Sequence, residues 1–144
     1  MRRLHLTAFG WMVFGVASGL FYREFTKLND WPEGKPTQLG LVHTHTLVLG
    51  FLLLLVVLLL EKVFVLSRSR AFEWFFWLHN VGLAITAGAM IWHGCLTVVG
   101  RSSTPMIAGI AGLGHMTLTA GMVLLFLALG AALKRDEKRA SRAV

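Results

Sequence analysis

Five histidines, His43, His45, His79, His93 and His115, lie within long apolar stretches of the chain. An ionisable side chain in a lipid-embedded helix is costly and marks a functional site by default. Imidazole is also the commonest metal ligand among side chains. Two of the five fall in one run, Leu41-Val42-His43-Thr44-His45-Thr46-Leu47-Val48-Leu49-Gly50-Phe51, which opens the longest apolar stretch. Low dielectric favours the neutral imidazole that ligation needs. Two histidines on facing helices would hold a six-coordinate haem iron, and one alone would leave a position open for a gas. Copper is the alternative, with His45, His93 and His115 as the set. It needs two or three imidazoles converging within about 2 Å of one ion. In a third reading the histidines only bridge helices, in a non-catalytic membrane assembly factor.

The elements that would position these side chains are transmembrane helices. The chain has 144 residues, 56% hydrophobic and 15% charged, against roughly 25% charged in a soluble domain. Apolar stretches over 4–22, 37–60, 72–99 and 105–133 each approach or exceed the roughly 20 residues a spanning helix needs. The fold class expected is all-α: one domain over 1–144, an integral membrane four-helix bundle. The first stretch has no small-residue cleavage site and reads as a retained span. The net charge of +7 follows membrane topology and does not point to nucleic acid. Ten of the fourteen basic residues flank one side: Arg2, Arg3, Lys62, Arg68, Arg70, Lys134, Arg135, Lys138, Arg139 and Arg142. The positive-inside rule therefore puts both termini in the cytoplasm, with the chain multi-pass in the plasma membrane.

Depth and face then sort the histidines. His43 and His45 lie about 9–12 Å inside the second span, which runs inward from Thr37. Residues two apart on a helix point about 200° apart, so these two cannot share one ion without distortion. Gly50 falls on the His43 face and leaves room for a flat bulky group or a second helix. His79, Gly82, Thr86, Met90 and His93 form one stripe of the third span. His93 matches the depth of His43 or His45, and His79 lies about 20 Å away from it. Thr104 and Pro105 are suited to start the fourth span. His115 lies about 15 Å along it, near the midplane, with Ala108, Ala111, Gly112 and Thr119 on its face. That small-residue groove suits a porphyrin edge or a tightly packed helix. Gly15 and Gly19 form a GxxxG pattern for close helix packing in the first span.

The remaining motifs are quiet. The single Cys95 excludes an internal disulfide and a CxxC redox pair, and reads as a small packed residue. No phosphate loop or Ser/His/Asp set is present, and no carboxylate lies deep in a span, which argues against a usual proton-coupled carrier.

The run His43-Thr44-His45-Thr46-Leu47-Val48-Leu49-Gly50-Phe51 resembles the second helix of subunit I in the haem-copper oxidase superfamily. The cbb3-type oxidases and nitric oxide reductases are the nearest in pattern. The resemblance implies that His43 is an axial ligand of a low-spin haem. Gly112-Leu113-Gly114-His115 is similar to the start of the Gly-His-x-His segment of their tenth helix, which implies that His115 is the opposite ligand. Thr117 stands where that pattern has its second histidine. Leu78-His79-Asn80-Val81-Gly82 looks like a copper-ligand segment of the sixth helix, in a helix of opposite direction. The whole chain resembles a family of small four-helix bacterial membrane proteins of unknown function. The residues that carry this are Phe21-Tyr22-Arg23-Glu24-Phe25, the His-Thr-His run and Gly109-Ile110-Ala111-Gly112-Leu113-Gly114-His115. Likeness to one four-helix arc of the oxidase subunit implies a homo-oligomer, trimer or dimer. The expectation is a membrane haem b protein for electron transfer or gas or redox sensing, served by a redox partner or quinol. His43 and His115 would be its ligands, from one subunit or from neighbours, with His45 or His93 as alternates.

Overall fold

The computed structural model describes residues 1–142. Four helices are long and apolar enough to cross a membrane: α1 (Arg2–Leu28), α2 (Leu39–Phe64), α3 (Arg70–Val98) and α4 (Pro105–Ala140). They follow the expected stretches and overrun them at the polar ends, where basic residues extend the last turns. Pro105 takes the first position of α4 and Thr104 its N-cap, as their chemistry favours. One 3₁₀ turn, Leu66–Arg68, joins α2 to α3.

Glycine sets the two tightest seams. Along α3 and α4, a Cβ added to Gly82 would lie 2.5 Å from the Leu118 nitrogen, and one on Gly121 2.8 Å from the His79 nitrogen. On α4 the row Gly114, Leu118, Gly121, Leu125, Ala128 and Ala132 is buried, with alternating spacings of four and three. That is the heptad seam of antiparallel packing. In α1, Gly15 receives Leu47 and Gly19 lies against the His43 side chain, so the GxxxG pattern draws α1 onto α2.

At the end that carries the termini the bundle is closed. Leu4, Leu54, Val57, Phe72, Phe75 and Leu125 fill its core from all four helices. Arg3 and Glu73 pair there at 2.7 Å, and Arg135 of α4 donates to the Val65 carbonyl at 3.3 Å, past the end of α2. Towards the other end the helices part. The α4 helix packs along α3 and meets α2 mainly through Leu53–Phe64.

The middle of α2 is not α-helical. Over Thr46–Leu52 the hydrogen bonds span five residues, and the Leu53 N–H reaches the Val48 carbonyl. A helix leaving five-residue spacing for four passes over one acceptor, and Leu49 is next in line. His79, 0% exposed, fills the gap: its Nε2–H donates to the Leu49 carbonyl at 2.9 Å. His79→Leu strips that acceptor. The expected cost is about 1–3 kcal/mol, read as a fall in melting temperature in detergent. Thr117→Ala removes a hydroxyl bonded only to its own helix and is expected to stay within about 0.5 kcal/mol.

Candidate functional site

The five histidines divide by what their ring nitrogens meet. His79 is spent on the Leu49 carbonyl and stacks beside Phe75, with centroids 5.3 Å apart. Its role is a bridge between α2 and α3. The stripe read from sequence holds, since Gly82, Thr86 and Met90 are buried with it.

His43 turns towards α1. Its Cβ lies 3.7 Å from where a Gly19 Cβ would stand, and its Nε2 is 3.4 Å from the Thr44 hydroxyl. Gly50 does not leave room for a flat prosthetic group. Trp11 fills that space, so a Cβ on Gly50 would lie 2.5 Å from the Trp11 Cγ. The indole is fixed in turn, because its Nε1–H donates to the Asn80 carboxamide oxygen at 2.7 Å. Of the two occupants expected beside Gly50, a flat group and a second helix, the helix is found: Gly50 and His43 both face α1, and the His43 Nδ1 is enclosed there without a hydrogen-bond partner.

His45 and His115 share a different arrangement. The His45 Nδ1–H donates to the Leu41 carbonyl at 3.0 Å, and the His115 Nδ1–H to the Ala111 carbonyl at 2.8 Å. Carbonyl oxygens only accept, so the proton sits on Nδ1 in each ring. Each Nε2 is left as a bare acceptor. A ligating histidine normally donates its other N–H to a carbonyl or carboxylate in this way.

The helix register sets these two rings at one depth. Val42 packs with Ala87 and Met90, so His45, three residues further along α2, is level with about Ala84–Ala87. Gly114 packs on Thr86, with an added Cβ 2.6 Å from the hydroxyl oxygen, so His115 is level with about Ile85. The two helices stand on either side of α3. His45 lies one turn beyond Leu41, which lines a cavity of about 270 Å³ with His93, Gln38 and Thr97. His115 lies one turn beyond Ala111, which lines a second cavity with the same His93. His45 and His115 thus stand at one depth, on the sides of α2 and α4 next to the groove that holds these two cavities along α3. Gly112 is open, with nothing within 4 Å of an added Cβ, and His115 is exposed. The small-residue row assigned to His115 is this open side; the packed row is the next one round, through Gly114 and Leu118.

Four side-chain atoms of the described residues are enclosed without hydrogen-bond partners: the Nδ1 of His43, His79 and His93, and the Thr86 hydroxyl, which lies against Gly114. Among the described residues no three His, Cys, Asp or Glu side chains gather closely enough to hold a metal ion. His45, His93 and His115 therefore line one groove without converging on one point. Cys95 is a free, half-buried thiol.

A family described as protein of unknown function DUF2871 matches residues 1–132. The chain belongs to this family. No curated protein and no solved structure matches it. None of these comparisons supports the likeness to the oxidase subunit.

The grouping of the rings has a direct chemical readout. With diethyl pyrocarbonate on the detergent-purified protein, His115 is expected to react first, His45 next and His79 last. Peptide mass spectrometry over a time course measures the order. Modification of His79 as fast as His115 would contradict the packing.

Proposed function

We propose that this DUF2871 protein binds haem b in the groove between α2 and α4, with His45 and His115 as the two axial ligands. The observation that carries the reading is the matched state of these imidazoles. They stand at one depth on opposite walls, each with Nδ1–H held by the carbonyl one turn back and Nε2 free. A porphyrin supplies four of an iron's six donors, so two histidines suffice. Copper held by two or three imidazoles is the alternative, and no set of three is gathered among the described residues. The partnerless Nε2 of His45 makes it, in place of His43, the α2 ligand in this reading. An assembly factor whose histidines only bridge helices accounts for His79, and leaves the free acceptors of His45 and His115 unexplained.

The residues fit such a group on other counts. Gly112 and Ala108 keep the α4 wall low beside His115. Bound haem would supply one-electron chemistry or a gas-binding iron, for electron transfer or sensing. The chain's own part is to hold two neutral imidazoles in fixed tautomers and to exclude water. In this reading the bundle spans the plasma membrane with both termini cytoplasmic, following its basic flanks. The groove then lies in the outer half of the bilayer, where a quinol or redox protein has access. A second or third copy of the chain covers its open side.

The test is an optical spectrum of the protein purified from haem-replete cells, oxidised and reduced. A Soret band with reduced α and β bands is expected. His45→Ala and His115→Ala are each expected to remove one ligand, and the double variant to lose haem; His43→Ala keeps the wild-type spectrum. A colourless protein would overturn the reading. So would a spectrum that survives the double variant.

A further inference from the structure

The polar groups of the groove are concentrated towards one end. His93 lies seven residues beyond Thr86 on α3, about 10 Å further along the axis. It lines a cavity of about 100 Å³ with Gln38, Ser103, Ala89, Ala108 and Ala111. Its Nδ1 is enclosed and has no hydrogen-bond partner. An imidazole, a primary amide and a hydroxyl, three side chains able to donate, therefore border one small space. None of the residues that line it is acidic. Ser103 stands two residues before the first residue of α4, a 36-residue helix whose N-terminal end carries positive partial charge. Each of the three can donate to an anion, and the volume admits a group the size of a carboxylate.

The same groove carries His45 and His115 at the level of Thr86. The rise from that level to His93 is comparable with the reach from a haem iron to its own propionates. We propose that the cavity bordered by Gln38, His93 and Ser103 receives a propionate carboxylate of the bound haem. Haem then enters one way round, with its carboxylates towards the end of the bundle away from the termini. The inference rests on the haem reading and adds the group that orients it. The role of His93 is to donate to the carboxylate, not to ligate iron.

The experiment titrates full-length apoprotein, purified in detergent from haem-deficient cells, with protohaem IX or its dimethyl ester. The ester keeps the iron and the ring and lacks the free carboxylates. Binding is read from the Soret band. Wild type is expected to prefer the free acid by about tenfold or more, the worth of one charge-assisted hydrogen bond. In His93→Ala/Gln38→Leu the preference is expected to fall to near unity while the ester binds as before. His93→Gln, which keeps a donor, is expected to retain most of it. Ser103→Ala, in the loop, gives a smaller fall and serves as the variant least able to disturb folding. Equal binding of acid and ester by wild type would overturn the carboxylate site and leave the haem reading standing. A preference unchanged in both His93→Ala/Gln38→Leu and Ser103→Ala would do the same. No Soret band with either compound would overturn both.

Discussion

A polar group among apolar helices has no water to turn to, and that constraint fixes each imidazole in this bundle. The hydrogen bond on which most depends runs from His79 to the Leu49 carbonyl. The α2 helix widens over Thr46–Leu52, and a widened helix releases an acceptor. Left bare in an apolar medium, that acceptor would cost several times what an average hydrogen bond contributes. A donor on α3 at the right height makes the wide segment tolerable. The bond also ties α2 to α3 at a set rotation. Leu39, Val42, Thr46, Gly50, Leu54 and Val57 then all face inward, although steps of four follow one another through the middle. On a regular helix such steps would walk the stripe round the axis.

The second constraint is the glycine seam between α3 and α4. Gly82, Gly114 and Gly121 let the two backbones touch, and the seam leaves α4 little freedom to turn. His115 follows Gly114 and is therefore about 100° away from the seam. A packed glycine thus aims an unpacked histidine. On α2 the rotation set at Leu49 does the same for His45, while His43, two residues earlier, is delivered to α1. Neither ring is steered by a partner of its own beyond the carbonyl one turn back. Their shared depth is a property of how two helix pairs are stacked.

Much of this was legible in the chain and some was not. The four spans showed themselves because long apolar runs end at clusters of arginine and lysine. The close approach of α1 and α2 was written in Gly15 and Gly19. The stripe from His79 to His93 was readable because α3 keeps regular helical spacing. The facing of His43 and His45 was not. A run as uniformly apolar as 47–60 has no polar side to betray its orientation, and a π segment shifts every angle after it. Gly50 left two readings open for the same reason, since its empty side chain marks a close approach without naming the neighbour. Around His115 the small residues Ala108, Ala111 and Gly112 likewise fitted a flat group or a packed helix. The helix packs on Gly114 and Leu118, where glycine permits backbone contact, and Gly112 borders open space.

The two ends of the bundle pose opposite packing problems. Near the termini, Phe72, Phe75, Leu54 and Leu125 fill the interior to the density that protein cores require. At the far end the facing positions are Ala89, Ala108 and Ala111, and the α2 and α4 helices separate around them. Small residues alone would let these helices close up, as the seam at Gly82 shows. Acyl chains could fill the gap by volume. They offer nothing to the free Nε2 of His45 and His115 or to the enclosed His93 Nδ1, and each such atom raises the cost of a purely apolar filling. An occupant that brings polar atoms to the height of those rings lowers that cost, and one without them does not.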